Sequence, residues 1–102
     1  MSGREPRILQ SAWEDLAEIA DYLVRVSGER VAEETTDEIL DTIELLASTP
    51  LLGSLHHDSV LQRLGYRKLI CGRYICVYRM VDDVPVVYRV FHERQNYAWR
   101  LK

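Results

Sequence analysis

Between Tyr66 and Tyr97 the chain carries three runs of β-branched and aromatic residues, and no other stretch limits the fold as tightly. The runs are Arg67–Cys71, Tyr74–Val81 and Val86–Phe91, the last continuing into His92-Glu93-Arg94, with a turn at Asp82-Asp83-Val84-Pro85. Such residues suit a pleated surface and the glycine, aspartate and proline between them suit turns, so the stretch predicts a meander of adjacent antiparallel strands. In the longest run Tyr74, Cys76, Tyr78 and Met80 alternate with Ile75, Val77, Arg79 and Val81, and neither set is polar. A sheet covered on one side only alternates apolar with polar residues. The second face is therefore expected to be an exposed apolar patch or an interaction surface. Arg67, Arg73, Arg79, Arg89 and Arg94 all fall in this stretch and point to an anionic partner.

The residues before it read as cover for one sheet face. Arg7-Ile8-Leu9-Gln10 predicts a short edge or joining strand, and Ser11-Ala12-Trp13-Glu14 has the spacing of a capping box. Trp13, Leu16, Ile19, Ala20, Leu23, Val24 and Val26 then form an apolar stripe, with Glu14, Asp15, Glu18 and Asp21 on the opposite side. Ser27-Gly28 ends that helix. A second helix from about Glu29 to Ala47 buries Ala32, Thr36, Ile39, Leu40, Ile43, Leu46 and Ala47, and stops at Ser48-Thr49-Pro50, where proline has no amide to continue the ladder. The short break makes an antiparallel helical hairpin. Residues 51–64 read as a loop tucked under the sheet edge by leucines, with His56 and His57 as solvated histidines, since adjacent histidines without a second ligand pair are a weak metal signal. Cys71 and Cys76 read as two small reduced apolar side chains rather than a disulfide or metal site.

At 102 residues the chain is expected to form one domain, and its 47% hydrophobic content excludes a disordered tail as the main reading. No run approaches the ~18 apolar residues of a membrane span, and Met1–Pro6 lacks the apolar core of a signal peptide, so a cytoplasmic protein is expected. The net charge of -3 hides an asymmetry. Residues 1–50 hold 4 basic against 12 acidic side chains (-8), and residues 51–102 hold 9 against 4 (+5). Either the helices are simply solvated acidic faces, or the carboxy-terminal half presents a basic face to a nucleic acid or an acidic protein segment.

This order of elements, an α+β arrangement of strand, helical hairpin and antiparallel strands (β-α-α-β-β-β), resembles the RelE/ParE superfamily of bacterial type II toxin–antitoxin toxins, a plasmid stabilization family. The residues that carry the resemblance are Ala12–Leu23, Ile43–Gly53, Tyr66-Arg67-Lys68-Leu69 followed by Tyr74 and Tyr78-Arg79, and Tyr88–Tyr97. It implies a growth-inhibiting protein neutralised by a cognate antitoxin, as a homodimer or a toxin–antitoxin hetero-oligomer, with no metal or cofactor.

The resemblance leaves two activities open. RelE-like members cleave messenger RNA on the ribosome, which requires a base for the 2′-hydroxyl, a cation for the phosphorane-like transition state and an acid for the leaving oxygen. His92 would then be acid or base, Arg67 and Arg94 would bind phosphate, and Tyr97 would stack on a base or donate a proton, with Lys68 beside them. On a structural reading, Arg67 and Arg94 instead pair with Asp58 or Glu93, and His92 and Tyr97 pack at the sheet edge. ParE-like members poison DNA gyrase and are not enzymes. An isoelectric point near 5.6 fits ribosomal RNA poorly and favours the gyrase group, as do the Ala-Trp-Glu-Asp-Leu helix and the Pro-Leu-Leu-Gly loop. The nucleic-acid or antitoxin-binding set is Arg67, Lys68, Arg73, Arg79, Arg89 and Arg94. A third reading is a toxin-fold binding protein without toxicity.

Overall fold

The apolar spacing of residues 10–47 produces the helical hairpin where the stripe places it. The computed structural model describes residues 4–95, in which a strand β1 (Arg7–Ile8) leads into α1 (Gln10–Ser27) and α2 (Glu29–Glu44), followed by a single 3₁₀ turn (Leu45–Ala47). Gly28, at φ 92°, makes the reversal between the helices, a conformation costly for any side chain carrying a Cβ. Next come β2 (Ser54–Leu55), α3 (Ser59–Arg63), β3 (Arg67–Cys71), β4 (Tyr74–Val81) and β5 (Val84–His92).

The five strands form one sheet in the order β1-β5-β4-β3-β2, antiparallel except for β1 beside β5. Both hairpins of the meander use two-residue turns. Gly72 begins the first at φ 62°, and Asp82 and Asp83 form the second, both at positive φ. The second turn thus begins at Asp82 as expected but ends two residues sooner, so that β5 starts at Val84 rather than Val86 and Pro85 sits within it opposite Met80.

The helices cover the face carrying Tyr74, Cys76 and Tyr78, which pack with Leu69, Cys71, Val87 and Val90 against Ala12, Leu16, Ile39, Ile43 and Leu46. The second face is not left bare. Leu61, on the helix turn hidden inside the expected loop, packs with Tyr66 against Ile75, Val77 and Phe91. Asp58 caps that turn by accepting from Val60 N and Leu61 N. So of the expected leucines only Leu61 is buried, covering a face rather than tucking under an edge. β2 extends the sheet edge, Leu51, Leu52 and Leu55 stay exposed, and burying Leu61 contributes about 2 kcal/mol. β4 is thus apolar on both sides because it is buried on both sides.

α1 departs from its expected pattern in two ways. No capping box forms: the helix starts at Gln10, and Ser11 Oγ donates to Tyr88 O at 2.7 Å. Asp15 is buried rather than solvated, accepting from Val90 N (2.9 Å) and from Arg89 Nε and Nη2 (2.7 and 2.9 Å). Because β1 pairs with β5 only at Val86 and Val87, the rest of that edge needs other partners, and Ser11 and Asp15, one helical turn apart, supply them. Trp13, Val24 and Val26 face outward and do not join the buried stripe.

Candidate functional site

The sheet register decides which of the predicted side chains can act together. Arg67 pairs with Tyr78, in the middle of β4, and His92 pairs with Tyr74, at its start, so the two flank β4 on opposite sides and at different levels. Tyr78 and Tyr74 are four residues apart, roughly 13 Å at the ~3.3 Å strand rise. Arg67 and Lys68 therefore sit beside the middle of β4, and His92 and Arg94 at its Tyr74 end. Tyr97 lies outside the described residues.

The Arg67 end is internally satisfied. Arg67 Nη1 donates to Gly53 O at 2.7 Å, not to Asp58, and Lys68 Nζ donates to Nδ1 of His57 at 3.2 Å. Tyr78, wholly buried, accepts from Gly53 N and donates to Pro50 O, both at 2.9 Å, and so ties down the Pro50–Gly53 loop. Burial raises its phenol above the usual tyrosine range, which keeps it a donor. His56 is 1% exposed rather than solvated, and its Nδ1 accepts from Asp58 N at 3.0 Å. Burial, with His57 and Lys68 nearby, holds its imidazole below the usual histidine range.

Two of the remaining cations are also built into the fold. Arg79 lies between the rings of Tyr66 and Tyr88, 5.0 and 5.2 Å from their centroids, and donates to Tyr88 Oη and Leu64 O. Arg89 serves Asp15, whose hydrogen bond holds its guanidinium above the usual arginine range, and it stacks on Phe91.

The His92 end is open. His92 N donates to Gln95 Oε1, Gln95 N to His92 O, and Arg94 N to His92 Nδ1, which together close a tight corner after β5. An imidazole that accepts at Nδ1 carries its proton on Nε2, so when neutral it offers a donor there, not a base. Glu93 N donates to the Arg73 carbonyl at 2.8 Å, and Glu93 pairs at 3.5 Å with Arg73 rather than with Arg94. The exposed Arg94 guanidinium has no partner among the described residues.

Beside this corner runs a groove of about 730 Å³ between α1 and the ends of β4 and β5. Glu18, Ile19, Tyr22, Leu23 and Val26 form its helical wall, and Arg73, Tyr74, Phe91, His92 and Arg94 form the strand wall. Tyr22 and Val26 are more than half exposed. These two escaped the sequence reading as site residues, although α1 has more apolar positions near its end than its buried contacts use. A second, shallower hollow of about 550 Å³ along α2 is lined chiefly by Glu34, Asp37, Glu38 and Asp41.

No group of three or more metal-ligating side chains forms among the described residues, and no helix there is long and apolar enough to cross a membrane. With Arg73, His92 and Arg94 on the strand wall, Glu18 on the helical wall and apolar side chains between them, the groove suits an amphipathic protein segment whose carboxylates meet the strand wall.

Residues 7–97 match the family described as the ParE toxin of the type II toxin–antitoxin system parDE. Toxin ParE1 of Caulobacter vibrioides is 30% identical over 90 residues, covering 88% of this chain and 90% of the relative. Among solved structures, the chromosomal ParDE toxin–antitoxin system of P. aeruginosa matches with a TM-score of 0.75 at 19% identity, over 87% of this chain and 95% of the other. The toxin–antitoxin complex RelBE2 of Mycobacterium tuberculosis matches with a TM-score of 0.63 at 21% identity, over 90% and 93%. At those identities the structural likenesses carry the fold and nothing finer.

Proposed function

This chain belongs to the ParE toxin family of type II toxin–antitoxin systems, and we propose that it inhibits growth by binding and poisoning DNA gyrase, not by cleaving RNA. The separation of Arg67 and Lys68 from His92 and Arg94 carries this reading. In-line cleavage of a phosphodiester needs acid, base and phosphate-binding cation within hydrogen-bond reach of one phosphate. Here one group flanks the middle of β4 on the β3 side and the other its start on the β5 side, and Arg67 and Lys68 already have partners. A binding protein has no such requirement.

In the cytoplasm a cognate antitoxin would neutralise it by laying an acidic amphipathic segment along the groove. Apolar anchors would meet Tyr22 and Val26, and carboxylates would meet Arg73 and Arg94. The ribosome-dependent alternative rests on the open corner alone, where Arg73, His92 and Arg94 share one groove.

The deciding experiment sets gyrase supercoiling and trapping of cleaved DNA complexes beside messenger cleavage in a translating extract, using purified protein. Gyrase trapping with intact messenger supports the proposal. Ribosome-dependent cleavage overturns it and makes His92 and Arg94 the first residues to change.

A further inference from the structure

We propose that Cys71 and Cys76 form a peroxide-sensitive dithiol that closes to an intrachain disulfide in the folded protein. Their Sγ atoms lie 3.4 Å apart across the β3–β4 hairpin, and both thiols are free. A disulfide needs about 2.05 Å, so each sulfur has to travel roughly 0.7 Å, a distance that side-chain rotation supplies. Cys71 pairs with Tyr74 and Cys76 with Leu69, which places the two on one face as diagonal neighbours beside a two-residue turn. The twist of an antiparallel pair brings one such diagonal close.

A buried pair reacts only if it can be reached, and the sheet provides a route. β2 covers β3 at Arg67 and Lys68 only, so Leu69–Cys71 form a free sheet edge that ends at Gly72. Local opening of that strand end, which lifts Cys71 away from α2, exposes its thiol without global unfolding, and edges and turns open at the lowest free energy. The thiols are also unequal. The hydrogen bond with Cys76 lowers the Cys71 thiol below its usual range, whereas the same bond and burial push Cys76 up. Cys71, on the uncovered strand end, is the thiol the oxidant meets first, and Cys76, wholly buried on the inner strand β4, is the resolving thiol.

The oxidant is a hydroperoxide. Cys71 sulfur attacks one peroxide oxygen, the O–O bond breaks, and the departing oxygen takes a proton and leaves as water or an alcohol. Cys71 is now a sulfenic acid, oxidised by two electrons. Cys76 sulfur attacks it, the S–O bond breaks, and the sulfenic oxygen leaves as water with the Cys76 thiol proton. A dithiol reductant reverses the result. The bond would staple the turn whose Arg73 carbonyl holds Glu93 N and whose Tyr74 ring meets His92 edge-on, 5.3 Å between centroids. Oxidation would thereby stiffen the open corner.

The test exposes the full folded chain to hydrogen peroxide, with the same chain unfolded in urea as reference, and follows intact mass and free thiols. The expected result is a loss of about 2 Da with both thiols blocked, reversed by dithiothreitol. The C76S variant should instead accumulate a sulfenic acid on Cys71 that dimedone traps, and C71S should remain unmodified. Three results would overturn the proposal: both thiols surviving peroxide that oxidises the unfolded chain, oxidation to sulfinic acid without a disulfide, or disulfides formed only between chains.

Discussion

At the Tyr78 end of β4, polar atoms are turned inward and matched: Tyr78 to Gly53 and Pro50, Arg67 to Gly53, His56 to Asp58. At the Tyr74 end, an apolar groove stands open beside Arg73, His92 and Arg94, and the Arg94 guanidinium has no partner among the described residues. The same residue types thus do different things at two levels of one strand. An arginine committed to a backbone carbonyl holds a loop, and moving it to a ligand would strand that carbonyl. An arginine on an open rim costs nothing comparable to redirect.

The sharpest break of this contrast is at Gly53. A methyl group there would stand 2.5 Å from the Lys68 carbonyl oxygen and 2.7 Å from Cε1 of Tyr78, both in parts that cannot swing away. Gly53→Ala is expected to cost about 3 kcal/mol, measured by urea denaturation. An unchanged midpoint would show the locked end to be looser than its hydrogen bonds imply. Tyr78→Phe comes next. It removes one hydroxyl and strands both Gly53 N and Pro50 O, an expected loss of about 2 kcal/mol with the fold retained.

A smaller effect at the same end is pH-dependent. The folded chain holds His56 below its ordinary value of 6.5, first by burial and then by His57 and Lys68. On acidification the unfolded chain therefore takes up the proton first. Its contribution to stability is full above pH 6.5 and is lost as pH falls toward the folded value. The melting temperature of the wild type should drop more between about pH 7 and pH 5.5 than that of His56→Gln. Equal slopes would refute the assignment.

The elements at which the sequence reading succeeded and failed divide by whether their cause is local in the chain or distant in it. The helical hairpin, its reversal at Gly28 and the stop near Pro50 were legible because each depends on local chemistry: apolar spacing, a left-handed glycine and a missing amide. The meander was legible from its β-branched runs. Asp15 was misread because helical periodicity sorts carboxylates outward, whereas the unpaired edge of β5 that needs one lies 74 residues away in sequence. The burial of His56 and the turn carrying Leu61 were missed for a related reason. A five-residue helix shows less than two periods of any pattern, and its purpose, covering the second sheet face, exists only in three dimensions. For the candidate site, residue types were legible and their grouping was not. Arg67 and His92 look like partners in composition, and only the register of β3 and β5 on β4 places them apart.

The smallest expected change in stability is at Arg94, and it bears most directly on function. Its exposed guanidinium holds no described element in place, so Arg94→Ala should shift the unfolding free energy by less than about 0.5 kcal/mol. If the open corner is where a partner docks, the same change should weaken growth inhibition, antitoxin binding or both, and Arg94→Lys should restore part of it by keeping the charge. Arg67→Ala should do the reverse, loosening the Pro50–Gly53 loop and lowering stability while leaving binding by the folded fraction intact. Growth assays beside denaturation midpoints on the two variants separate the ends cleanly. A variant pair in which Arg67 controls binding at full stability, and Arg94 controls neither, would invert the division between the locked and open ends.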